Sequence, residues 1–148
     1  MGLFTSFDIN ASGLTAQRYR MDVIAQNIAN ANTTRTENGD TYRRKGVIFA
    51  EKGTGAKFSN YLTRATGNYK GGGVKVVRTF EDRDTDLIKA YDPSHPDADE
   101  DGYVYYPNVN IITEMTNLID ASRSYEANAT AFNASKSIAT TGLNMGQS

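Results

Sequence analysis

The chain opens and closes on one rhythm of apolar positions. Phe7, Ala11, Leu14, Arg18, Met21, Ala25 and Ile28 follow one another at spacings of four and three, with Ile24 beside them. That spacing puts them on one helix face and predicts a helix from about Ser6 to about Asn30. Thr5 with Asp8 three residues on reads as a variant of the capping box. Gly13 weakens the helix interior by about 1 kcal/mol relative to Ala. The run Asn30-Ala31-Asn32-Thr33-Thr34 ends it, because short polar side chains bond to their own backbone. At the other end, Pro107 fits just before or within a first turn and Asn108 reads as the cap. Ile111, Met115, Leu118, Ser122, Tyr125, Ala129, Phe132, Lys136, Ala139 and Leu143 then run four-three without a break. Ile112, Ile119 and Ile138 widen the stripe. This is the pattern of a long helix with a coiled-coil seam, a rod of about 50 Å at about 1.5 Å per residue. Gly142 and Gly146 mark a fraying end.

The stretch between the helices has the other period. Tyr42 to Phe49, Val74 to Val77 and Asp86 to Tyr91 read as short strands, separated by turns near Asn68 and at Gly71-Gly72-Gly73. It forms either a small hairpin-based domain, marginal alone, or a partly disordered centre. The chain thus divides into an N-terminal helix, residues 1–34, a middle region, 35–106, and a C-terminal helix, 107–148. The fold class is mainly α with a small β-containing insertion.

Charge sharpens that division. Residues 1–34 carry only Asp8, Arg18, Arg20 and Asp22, and residues 109–148 only Glu114, Asp120, Arg123, Glu126 and Lys136. Residues 35–89 are net basic, and Asp92, Asp97, Asp99, Glu100 and Asp101 make an acidic run. An ordinary helical hairpin should carry many charges on its outer faces. Here those faces show mostly Asn, Thr, Ser and Ala, which suit close contact with neighbouring chains. The ends therefore read as surfaces to be buried by other subunits.

Composition excludes more than it proposes. The 148 residues balance to a net charge of -1, unlike a strongly basic nucleic-acid module. With no Cys there is no disulfide, thiolate metal site or Cys nucleophile, and the single His95 excludes a multi-histidine centre. No apolar run is long enough to span a membrane, and the first residues lack the basic leader and apolar run of a cleaved secretory signal.

The candidate chemical motifs are weak. Gly71-Gly72-Gly73 lacks the Lys-Ser/Thr ending of a phosphate loop. Asp97, Asp99, Asp101 and Gly102 open like a calcium loop, but Asn108 stands where its bidentate Glu belongs. His95, between Pro93 and Pro96, has no Ser placed by spacing to serve as nucleophile. Asp82 and Asp84 lie in a charged surface run. Tyr42-Arg43-Arg44-Lys45 is the best basic-aromatic patch, facing either an anionic polymer or solvent at a strand edge. Nothing argues for catalysis or a cofactor. A spectrin-like helical adaptor and a small calcium- or polymer-binding domain remain as alternatives to an assembling structural subunit.

The run from Ala11 to Thr34, with Asn27-Ile28-Ala29-Asn30-Ala31-Asn32-Thr33 at its heart, resembles the N-terminal signature of the bacterial flagellar rod and hook axial proteins. Tyr91-Asp92-Pro93-Ser94-His95-Pro96-Asp97-Ala98, Gly102-Tyr103-Val104 and Pro107-Asn108-Val109-Asn110 extend the likeness towards the proximal-rod members. Glu114-Met115, Ala121-Ser122-Arg123-Ser124-Tyr125-Glu126-Ala127-Asn128 and Phe132-Asn133 complete it. The signature positions are Asn27, Asn30, Asn32, Thr33, Pro93, His95, Pro96, Gly102, Pro107 and Asn108. The resemblance implies a structural subunit, not an enzyme, with no cofactor. It implies terminal helices paired as an antiparallel coiled coil and completed in a helical assembly around an export channel, carrying torque across the periplasm. The seam would be Phe7, Leu14, Met21, Ile28, Ile111, Met115, Leu118, Tyr125, Phe132 and Ala139. It further implies export by the flagellar type III apparatus without a cleaved signal. The implied partners are copies of the chain, other proximal-rod proteins, the rod-base adaptor and the distal rod, close to peptidoglycan. No nucleic acid and no membrane insertion are implied.

Overall fold

A computed structural model describes residues 3–53 and 72–146. The turn expected near Asn68, and Gly71, lie outside the described residues. The elements are α1 (Leu3–Ala29), β1 (Lys45–Glu51), β2 (Val74–Glu81), β3 (Ile88–Tyr91), β4 (Tyr103–Tyr106) and α2 (Ile111–Met145). Two long helices and two two-stranded sheets, β1–β2 and β3–β4, make the architecture mainly α with a small β insertion.

Both helices start where side-chain chemistry differs from the sequence expectation. Thr5 lies inside α1, so Thr5 and Asp8 form no capping box at its start. Asn110, not Asn108, caps α2: its Oδ1 accepts the Thr113 N–H at 3.1 Å. Asn108 is unavailable because its Oδ1 already accepts the Arg44 N–H at 2.8 Å. The strand expected at Tyr42 begins instead at Lys45, since the Tyr42 N–H is given to Thr33 O, just beyond the turn that follows α1. β2 runs on past Val77 to Glu81. Strand β4, unanticipated, pairs antiparallel with β3 in the register Ile88 with Tyr106 and Tyr91 with Tyr103.

The residues gather into two compact units. One comprises Met1–Tyr19, Phe49–Val77 and Ala121–Ser148. Within it α1 and α2 run antiparallel, because the Phe7 ring meets Phe132 edge-on at 5.1 Å while Gly13 faces Asn128. A Cβ on Gly13 would stand 2.7 Å from Asn128 Oδ1, so a glycine here, costly to the helix alone, admits the neighbouring side chain. Ala16 and Ala121, also small, are buried. Ser12 Oγ accepts the Val74 N–H at the start of β2.

The second unit comprises Arg20–Ile48 and Arg78–Asp120. Val23, Ile24 and Val104 are buried there, and Ala31, Tyr42 and Val109 pack as a small cluster. The β3–β4 connection is closed by Asp92, whose carboxylate accepts the N–H and O–H of Ser94 and whose N–H reaches Gly102 O. Gly102 turns the chain at φ +80°, a left-handed conformation that L side chains rarely adopt.

Candidate functional site

Side chains far apart in sequence converge on Asn27 in the second unit. Asn27 is fully buried and uses its amide on both sides. Its Oδ1 accepts the Tyr42 hydroxyl at 2.9 Å and the Lys45 N–H at 2.8 Å. Its Nδ2 donates to Lys45 O and to Glu114 Oε2, both at 2.8 Å. The amide thereby pairs with Lys45 as a neighbouring strand would. Glu114, 0% exposed, accepts from Arg44 through Nε at 2.9 Å and Nη2 at 2.8 Å on its other oxygen. Burial, then the charges of Glu114 and Glu81, push the Tyr42 phenol above its ordinary value, so it stays a donor. Asn108 completes the clasp: it accepts from Arg44 and donates to Asp82 O and Thr85 O. A buried carboxylate is tolerated here because a guanidinium and an amide satisfy it.

The other signature residues shape turns. Asn30 Nδ2 donates to Gln26 O, and its Oδ1 accepts the Thr33 hydroxyl, stopping α1. His95 Nδ1 accepts the Asp97 N–H at 3.1 Å, so a neutral ring carries its proton on Nε2. Pro93 packs where a Cβ on Gly102 would sit, and Pro107 is buried. Asn32 and Pro96 are exposed.

The basic patch is largely spent internally. Arg44 is paired with Glu114, Tyr42 is buried, and the Lys45 ammonium lies 5.5 Å from the Tyr42 ring centroid. The acidic run is spent likewise. Asp97 accepts the Thr34 hydroxyl at 2.7 Å and faces Arg35 at 3.7 Å, while Asp99 accepts the N–H groups of Asp101 and Tyr103.

The apolar stripes sit differently from the buried faces. In α1, Phe7, Leu14, Met21 and Ile28 are half-buried, while the buried positions are Gly13, Ala16, Val23, Ile24 and Asn27. In α2, Leu118, Phe132 and Ala139 are half-buried, but Ile111, Met115 and Tyr125 are exposed. Glu114 and Ala121, each one residue before Met115 and Ser122 of the stripe, are buried instead, and Asn128 faces Gly13. The pattern put Glu114 off the stripe; the structure places it at the centre of the clasp. Ile112, Met115 and Ile119 are left 78%, 53% and 53% exposed.

Residues 7–35 match the family described as flagella basal body rod protein. Residues 100–145 match the C-terminal family of the flagellar basal body rod FlgEFG proteins. The flagellar basal-body rod protein FlgC of Bacillus subtilis is 46% identical over 154 residues, covering 99% of this chain and 100% of its own. Its namesake in Borreliella burgdorferi is 46% identical over 147 residues, 93% of each chain. That of Salmonella typhimurium is 39% identical over 147 residues, 99% of this chain and 100% of its own. The chain belongs to the FlgC family of flagellar basal-body rod proteins. It is a structural rod protein and not an enzyme. The two helical halves of the clasp come one from each matched segment, Asn27 from the first and Glu114 from the second. Tyr42, Arg44 and Lys45 lie outside both. The sequence reading missed this role for Glu114; its signal was a carboxylate in the first turn of a charge-poor helix.

Proposed function

We propose that this FlgC-family chain is a subunit of the proximal rod, polymerising helically around the export channel and transmitting torque across the periplasm. Its terminal helices pair as an antiparallel coiled coil completed by neighbouring chains. The observation that carries this reading is the apolar line Ile112, Met115 and Ile119, open to solvent on a long, charge-poor helix. An exposed apolar line of this kind marks an interaction surface. In the assembly the seam Phe7, Leu14, Met21, Ile28, Ile111, Met115, Leu118, Tyr125, Phe132 and Ala139 is shared between the chain's own helices and its neighbours. The partners are copies of itself, other proximal-rod proteins, the rod-base adaptor and the distal rod. The chain reaches them unfolded through the flagellar type III export apparatus without a cleaved signal, and works near peptidoglycan without nucleic acid, cofactor or membrane insertion. No helix among the described residues is long and apolar enough to cross a membrane.

Replacing Met115 and Ile119 by Asp tests the surface without touching a buried position. The variant should fold and leave the cytoplasm, yet be missing from isolated basal bodies, and cells should not swim. Rods built at normal yield by M115D/I119D would overturn the reading.

A further inference from the structure

The clasp in the second unit also bears on how two periodic helices find one alignment. Sequences with a seven-residue repeat can slide by seven and still overlay apolar on apolar. In α2 the heptad series through Glu114 continues with Ala121, and Pro107 precedes it. Neither offers a side-chain acceptor for the Asn27 amide. A slide of one heptad would leave Asn27 Nδ2 without Glu114 and the Glu114 carboxylate without Arg44, each a buried group stripped of its partner.

We infer that the Asn27–Glu114 pair is a register lock, fixing which residue of α1 faces which residue of α2 and, through Lys45, where β1 starts. Three features carry this. Asn27 is 0% exposed and both its side-chain polar atoms are paired, so the site has no slack. Glu114 divides its two oxygens between α1 and the residue preceding β1. The apolar line of α2 at Ile112, Met115 and Ile119 points away from the clasp and cannot choose the alignment within the chain. Setting register is the best-attested use of a buried polar group between helices. The lock belongs to the single chain and stands or falls apart from the assembly reading.

The chain has no native Cys, so engineered pairs report register directly. Phe7 and Phe132 lie inside the two helices and meet ring to ring, so F7C/F132C joined by a short thiol crosslinker marks the native alignment. F7C/A139C marks a slide of one heptad. In the otherwise unaltered chain, crosslinking should join 7 to 132 and give no 7–139 product. Asn27→Asp keeps the acceptor for Tyr42 and Lys45 but removes the donor to Glu114 and to Lys45 O and sets two carboxylates face to face. It should abolish the dominance of the 7–132 link and let the 7–139 link appear. Adding Glu114→Gln restores a donor–acceptor pair of reversed polarity with position 27, and N27D/E114Q should shift linking back towards 7–132. If N27D alone does not fold, Glu114→Ala decides, because it removes the acceptor and leaves both Asn27–Lys45 bonds in place: a 7–139 link supports the lock and unchanged 7–132 linking overturns it. Unchanged 7–132 linking in N27D, with no 7–139 product, would also overturn it.

Discussion

At the scale of single residues, the positions that define this chain are small or polar ones held by several partners. Asn27 and Glu114 gain their roles from mutual satisfaction: a lone buried carboxylate would be untenable, and a guanidinium with an amide makes it a fixture. Gly102 is defined by backbone shape. It is buried at φ +80°, and an added Cβ would stand 3.0 Å from the Tyr91 ring and 3.2 Å from Pro93. Gly102→Ala should therefore destabilise the chain by about 1–2 kcal/mol, the cost of a left-handed non-glycine residue. A lowered urea midpoint with unchanged slope is the expected result. Asp92 supplies a second test. Hydrogen bonds from the Ser94 hydroxyl, then from its N–H, hold the carboxyl below its ordinary value. A lowered folded-state pKa means its contribution is present above the unfolded value and is lost as pH falls through the folded one. Asp92→Asn keeps an acceptor for Ser94 and cannot titrate. Acid titration of the β3–β4 turn, followed by the Ser94 amide resonance, should show a transition in the parent that is missing in D92N.

At the scale of elements, the helices were legible and their inward faces only in part: Phe7 and Phe132 of the expected seam do meet, but the polar positions beside them were not foreseen. The four-three spacing located α1 and α2 to within a few residues, because apolar periodicity and the polar run after Ile28 are local signals. The aromatic and β-branched run Tyr103-Val104-Tyr105-Tyr106 suits β4, but four residues after an acidic turn are a faint strand signal. The inward faces escaped for a different reason. Hydrophobic pattern assigns apolar residues to the inside, whereas α2 turns Glu114, Ala121 and Asn128 inwards, one residue from the apolar line. A buried polar contact is visible only when both partners are known, and Asn27 and Glu114 are separated by most of the chain. Asn108 shows the same limit: read locally it is a helix cap, but a distant N–H at Arg44 claims its oxygen.

At the scale of the whole molecule, the exposed apolar residues follow from a division of labour. Polar and small residues close the chain on itself, and in the proposed assembly the exposed aliphatic surface of α2 meets neighbouring chains. Ile138, Leu143 and Met145 extend that surface through the last turns of α2, each more than two-thirds exposed. A large apolar surface exposed to water is unfavourable, and the proposed assembly would remove it. The claim can be read with single cysteines at Ile112, Met115 and Ile138, introduced into a chain that has none of its own. Maleimide labelling should be fast at all three in the purified free chain and strongly suppressed in isolated basal bodies. Equal labelling in the free chain and in the rod would mean that this face of α2 stays in solvent, and the proposed assembly surface would be wrong.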